Sequence, residues 1–280
     1  MSFGVPFVLM TFVLETSIAN CSVSLVDKLQ DKNMIRNTLI LLISLFGFSL
    51  FGQSGVSHQQ YDQLLQQYVD EDGMVNYQGL KAERANLKSY LSVLENNPPK
   101  ESWTQDQKLA YWINAYNAFT LELILEHYPV KSIKEIGSTI KIPFVSTAWD
   151  VKFINIGDEE YDLNNIEHGI IRKEFDEPRI HFALVCAAVS CPKLQNKAYV
   201  PDMLDEQLTK AAKEFLSNPD KNEIQDSSNA TLSKLFNWYG GDFNNNGTLI
   251  EYINRYAPTK LDQNVKIEWK EYNWDLNEQE

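Results

Sequence analysis

The residues best suited to chemistry cluster between positions 168 and 191, where two of the four histidines and two of the three cysteines lie. A cysteine becomes a nucleophile when its thiolate is held near an imidazole or a helix N-terminus. The sequence therefore predicts Cys191 as a candidate catalytic nucleophile, with His181 or His168 as its base. The matching chemistry is acyl transfer, such as peptide or amide hydrolysis.

The same cysteines also permit a disulfide between Cys186 and Cys191. Disulfides form in oxidising compartments, and these two cysteines are the ones that remain once an N-terminal targeting segment is removed. Their Cys-x₄-Cys spacing matches neither the Cys-x₂-Cys redox motif nor a zinc pattern. In this interpretation the chain is a binding or structural module whose loop the bridge holds. Two inert buried thiols are a third alternative.

The sequence contains a partial calcium-binding loop that lacks its last ligand. The first, third, fifth and sixth positions of a calcium loop are matched by Asp242, Asn244, Asn246 and Gly247. The twelfth position needs a bidentate acid and is Ile253. The sequence therefore predicts a turn at this place, and we expect no metal site and no cofactor.

Hydrophobic periodicity predicts the elements that position these residues. The longest helix is expected over 104–127, with apolar side chains around most of its circumference, so it should be central and mostly buried. Asn114 and Asn117 lie on this helix, and an unpaired buried amide costs about 1–3 kcal/mol. Each must therefore find partners, either by tying the core together or by lining a pocket.

Beyond Trp149 the apolar period approaches two. This change predicts a hairpin that turns at Gly157 and a buried strand over 179–186, in which His181 and Cys186 face opposite sides. Further helices are expected over 163–173, which carries His168, and over 201–216. The predicted class is α+β, a single domain with a central helix packed on a mainly antiparallel sheet.

The N-terminus has the pattern of a signal peptide. A short positive start at 34–37 precedes a fourteen-residue apolar run at 38–51, which is shorter than the roughly 20 residues of a membrane span. We therefore expect a signal peptide at 34–53 after an uncertain extension at 1–33, and one domain at 54–280 exported to the periplasm or beyond the cell. An uncleaved tilted anchor and a lipoprotein cleaved at Cys21 are the alternatives.

Charge narrows the range of partners. The full chain has a net charge of −13, and residues 1–53 hold three basic and three acidic side chains, so residues 54–280 also carry −13. Such a chain repels phosphate backbones and anionic lipid surfaces. We expect no nucleic-acid partner and no stable membrane anchor after signal cleavage, and the sequence names no other partner.

Several stretches resemble the domain of unknown function 547 family. They are YWINAYNAFTLELI from Tyr111, LNNIEHGIIR at 163–172, PRIHFALVCAAVSCPKL at 178–194, and the terminal Trp274-Asp275-Leu276-Asn277. The resemblance covers about 105–217 as the core and implies no established activity. It implies a polar site that includes Asn114, Asn117, His168, Arg172, Arg179, His181, Ser190, Cys191 and Pro192, of which Asn114, Asn117, Arg172 and Arg179 are candidate binding residues.

Overall fold

The computed structural model describes residues 55–137 and 147–280, which belong to one compact unit. The expected signal peptide at 34–53 and the extension at 1–33 lie outside the described residues. In chain order the described helices are α1 (Gln59–Tyr68), α2 (Tyr77–Ala82), α3 (Arg84–Glu95), α4 (Gln105–His127), α5 (Arg172–Glu174), α6 (Leu204–Ser217), α7 (Leu235–Trp238), α8 (Gly240–Phe243) and α9 (Leu249–Tyr256). A π-helix at Asn165–Ile171 runs directly into α5.

The strands form two small sheets. The first is an antiparallel hairpin of β1 (Ile154–Ile156) and β2 (Glu159–Tyr161), which turns at Gly157 as predicted. The second has the order β3 (Glu223–Ile224), β4 (Asn229–Leu232), β5 (Lys266–Trp269), with β3 antiparallel and β5 parallel to β4. The predicted α+β class is confirmed, and both sheets are small beside the helical part.

The predicted central helix is α4. Thr104 caps its N-terminus: its hydroxyl accepts the backbone N–H of Gln107, whose side chain accepts the N–H of Thr104 in return. The helix is buried without a break from Leu109 to Leu125. Around it pack α2, α3, the π-helix and the turn that opens α6. The long helix is thus the axis of the larger hydrophobic core.

Asn114 and Asn117 are both buried and both paired, as their place on an apolar helix requires. The amide of Asn114 donates to the backbone carbonyl of Tyr199 at 2.7 Å and accepts the backbone N–H of Tyr199 at 3.0 Å. The amide of Asn117 donates to the carbonyl of Ala183 at 2.9 Å and accepts the N–H of Val185 at 2.9 Å. Both asparagines therefore fasten non-helical chain to the central helix.

The prediction of a strand over residues 179–186 is wrong. Residues Pro178–Phe182 form a 3₁₀ helix, and the backbone N–H groups of Ala183 and Leu184 both turn back to the carbonyl of Ile180. Asn117 then takes the hydrogen bonds that a neighbouring strand would have supplied. The inference that His181 and Cys186 point to opposite faces of a sheet therefore fails with the strand.

The C-terminal segment pairs with the loop between the two cysteines. Ser190 donates its backbone N–H to the carbonyl of Asn273, and its hydroxyl accepts the N–H of Asn273 at 2.8 Å. An isolated antiparallel bridge joins Ala188 to Leu276. This pairing brings the aromatic side chains around residue 273 against the cysteines.

Among the residues that the structure describes, none of the helices has the length and apolar character needed to cross a lipid bilayer.

Candidate functional site

A cavity of about 200 Å³ opens where the π-helix, the cysteine loop, α7 and the C-terminal segment meet. Three kinds of side chain line it: the paired cysteines, a polar group from the π-helix and the 3₁₀ helix, and an aromatic wall. A π-helix is rare and is frequently found at functional sites. The pocket is therefore concave and is lined by side chains that could bind a ligand or take part in a reaction.

The sulfurs of Cys186 and Cys191 lie at disulfide distance, 2.14 Å apart. The chain reverses between them through Ala187, a non-glycine residue whose φ of +56° lies in the left-handed region that costs a side chain about 1–3 kcal/mol. Two donors point at the sulfur of Cys191: the backbone N–H of Cys186 at 3.1 Å and the hydroxyl of Tyr272 at 3.2 Å. Burial raises the pKa of Tyr272, which keeps that hydroxyl protonated as a donor.

His181 is held by a carboxylate that is far away in sequence. Its Nε2 lies 2.7 Å from Asp242 Oδ2, and its ring stacks on Tyr239 with centroids 3.9 Å apart. Burial lowers the pKa of His181, although the hydrogen bond to Asp242 partly offsets this. The neutral ring that results donates from Nε2 and leaves Nδ1 as an acceptor.

Asp242 also receives a two-pronged guanidinium. Arg172 donates from Nε at 2.6 Å and from Nη2 at 2.8 Å, one bond to each carboxylate oxygen. The hydrogen bonds from His181 and then Arg172 hold the pKa of Asp242 well below its usual range. Arg172 Nη1 lies 3.0 Å from His168 Nδ1. The guanidinium charge is therefore already matched by Asp242.

Glu167 is the buried carboxylate of the pocket, with 6% of its surface exposed. Tyr239 donates its hydroxyl to Glu167 Oε1 at 2.6 Å. The buried hydroxyl of Tyr116 lies near the same carboxylate, whose charge adds to burial in raising the pKa of this phenol. Burial and the neighbouring Glu167 raise the pKa of Tyr239, so both phenols stay protonated.

The aromatic wall comes from α7 and from the C-terminal segment. The rings of Trp238, Tyr272 and Trp274 contact one another, with centroids 4.6–6.0 Å apart. Trp149 meets Trp274 edge-on at 5.8 Å. Trp238 is 47% exposed, which is unusual for a large aromatic side chain and places it at the rim. The wall is thus partly open to solvent.

The structure brings some of the predicted site residues together and separates others. His168, His181, Cys186 and Cys191 line the one pocket, and Arg172 lies just behind it through Asp242. Asn114, Asn117 and Arg179 do not line it. Arg179 forms ion pairs with Glu177 and Asp205 instead. Ligand binding by these three residues and catalysis by Cys191, His181 and His168 stay predictions.

The sequence prediction missed most of the other residues in and around the pocket. Asp242 was considered only as the first position of a calcium loop, whereas its carboxylate binds His181 and Arg172. The turn predicted there is present after α8. Glu167 and the aromatic wall carried a weak signal, a Glu-His pair on a predicted helix and dense aromatics near residues 238 and 272. Within residues 55–137 and 147–280, no group of three or more His, Cys, Asp or Glu side chains is arranged to hold a metal ion.

Comparison with known proteins gives one family match. Residues 100–216 match the model described as "Protein of unknown function, DUF547". No curated protein and no solved structure matches the chain. The matched region includes Glu167, His181 and both paired cysteines, whereas Asp242 and the aromatic wall of Trp238, Tyr272 and Trp274 come from beyond it. The resemblance seen in the sequence is confirmed: residues 100–216, somewhat less than half of the chain, are similar to the DUF547 family of proteins of unknown function.

Proposed function

We propose that this chain is an exported binding module that holds a small organic molecule in the pocket beside Cys186 and Cys191. The observation that carries the proposal is the buried carboxylate of Glu167, which faces a cavity of about 200 Å³ with an aromatic wall. Small-molecule sites are typically concave, mostly apolar, and supplied with a few convergent polar groups. This pocket has that composition.

In this proposal the cysteine pair is a disulfide with a structural role. It closes the loop that carries Ser190 and, through that loop, fixes the C-terminal segment that supplies Tyr272 and Trp274. A sulfur held in a disulfide has no thiolate to attack a substrate. The proposal therefore assigns binding rather than catalysis to the oxidised protein.

Two features support export to the periplasm or the cell exterior. The apolar run at 38–51 has the length of a signal-peptide core. Cysteines at disulfide distance suit an oxidising compartment. Intact mass of protein secreted by a native host tests this part: the mature chain should begin near residue 54, and a mass that retains residues 38–51 would contradict cleavage.

Tryptophan NMR tests the binding proposal because the chain carries its own control. Of the six tryptophans, three line the pocket (Trp149, Trp238 and Trp274) and three lie outside it (Trp103, Trp112 and Trp269). A library of small amines, sugars and carboxylic acids is added at millimolar concentration to isotope-labelled protein, and the indole N–H signals are followed. Saturable shifts should appear for the first three indoles alone. If no compound shifts any of those three, the proposed binding site is refuted.

A second candidate function is acyl transfer by Cys191, favoured by His181, which lines the same pocket and is held by Asp242. Once an added thiol reductant has opened the disulfide, His181 would take the proton of the Cys191 thiol and the thiolate would attack a carbonyl carbon. The C–N bond would then break as His181 returns that proton to the leaving amine, which leaves an acyl group on Cys191 for water to hydrolyse. Cys186→Ala frees Cys191 without any reductant and should form an acyl-enzyme with p-nitrophenyl acetate, detected by mass. Cys191→Ala is the matched control. An unmodified Cys186→Ala protein would remove this candidate.

A further inference from the structure

The charge balance around Glu167 bears on what the pocket holds. Among the described residues, the nearest basic group is His168, whose Nδ1 lies 3.9 Å from Glu167 Oε1, and no lysine or arginine forms an ion pair with this carboxylate. Arg172 is close, but both oxygens of Asp242 already take its guanidinium. Glu167 therefore accepts a phenol hydroxyl, and no lysine or arginine of residues 55–137 and 147–280 lies within ion-pair distance of it.

A buried carboxylate is costly unless a positive charge or several donors compensate for its lost hydration. The hydroxyl of Tyr239, which donates to Glu167, supplies part of that compensation, and the phenol of Tyr116 lies nearby. A cationic ligand would supply the rest, whereas a neutral ligand would bury the charge further and an anion would meet repulsion from Glu167. The overall net charge of −13 acts in the same direction.

The aromatic wall suits the same kind of ligand. An ammonium group is attracted to the face of a tryptophan or tyrosine ring, most strongly where water is excluded. Trp274 already shows this behaviour, because Lys134 Nζ lies 4.5 Å from its ring centroid. Trp238 and Tyr272 offer further ring surface within the pocket. The cavity of about 200 Å³ limits the ligand to a small molecule or headgroup.

We infer that the pocket binds a small organic cation, with its ammonium group against Glu167 and its apolar substituents on Trp238, Tyr272 and Trp274. This inference rests on the proposed function, that the pocket is a ligand site, and adds the chemical class of the ligand. Choline is a suitable probe. Its neutral counterpart is 3,3-dimethyl-1-butanol, in which a carbon replaces the charged nitrogen at nearly the same shape.

The test is calorimetric titration of the oxidised full chain with both probes. Choline should bind at least about tenfold more tightly than the neutral alcohol. Glu167→Gln should reduce this preference to about threefold or less. Glu126→Gln, a control at a largely exposed carboxylate outside the pocket, should leave it unchanged.

Trp238→Leu provides a second variant in case Glu167→Gln fails to fold, because Trp238 is half-exposed at the rim and its loss opens no core cavity. It should weaken choline binding by roughly three- to tenfold. Equal affinity for choline and the alcohol would overturn the cation inference and leave the binding module standing. Absence of choline binding, together with indole shifts caused by sugars or acids, would also overturn it. Absence of every indole shift would refute the binding module itself.

Discussion

Replacing Asn117 by leucine should strongly destabilise the fold, because this side chain joins the central helix to the chain that leads into the cysteine loop. Asn117 accepts the backbone N–H of Val185 and donates to the carbonyl of Ala183, both at 2.9 Å. Leucine keeps a similar volume and removes both polar atoms. Two buried backbone groups then lose their partners at about 1–3 kcal/mol each, so the free energy of unfolding should fall by about 2–6 kcal/mol.

Urea unfolding, followed by circular dichroism and tryptophan fluorescence, measures this change. The m value should stay constant, so that the shift in midpoint reports stability alone. Asn86→Leu is the matched control, because Asn86 is exposed on α3 and its substitution should change the free energy by no more than about 0.5 kcal/mol. A loss below about 1 kcal/mol for Asn117→Leu would refute the argument that these two hydrogen bonds hold the segment.

Three further perturbations test other parts of the fold. Burial lowers the pKa of His58 from 6.5 to about 4, so its stabilising contribution is complete above pH 6.5 and is lost as the pH falls toward 4. Between pH 6.5 and 4, the free energy of unfolding measured with urea should fall by about 3 kcal/mol more in the wild type than in His58→Gln. An equal fall in both proteins would contradict this. Gly73→Ala should lower the free energy of unfolding by about 2 kcal/mol or more, because φ is +81° and the new Cβ would lie 2.8 Å from the backbone nitrogen of Leu194. An unchanged melting temperature would contradict this prediction. Cys191→Ser should cost about 2 kcal/mol through loss of the closed loop, and a reductant should destabilise wild type alone. Equal sensitivity of both proteins to the reductant would contradict a native disulfide.

Local signals in the sequence were sufficient for several elements. The capping box of Thr104 and Gln107 marks where α4 begins, and the unbroken apolar surface of that helix predicts its central position. The hairpin turning at Gly157 follows from alternation and a glycine turn. In each case the information lies within a few residues, so periodicity and turn chemistry are enough.

The failures arise where a distant residue decides the structure. The segment 179–186 has the alternation of a strand, but Asn117 supplies its hydrogen bonds and the chain forms a 3₁₀ helix. Likewise, His181 obtains its carboxylate from Asp242, sixty-one positions away. No spacing rule links residues so far apart in the sequence. The clustering of His and Cys therefore predicted where the pocket lies, but it did not predict the acidic and aromatic side chains that surround it.

A crystal structure of the oxidised protein with choline would show directly what the pocket holds. The trimethylammonium group should lie beside Glu167, within about 6 Å of the ring centroids of Trp238, Tyr272 or Trp274. Choline bound elsewhere on the surface, or an empty pocket in crystals grown at saturating choline, would contradict the assignment of this pocket to an organic cation.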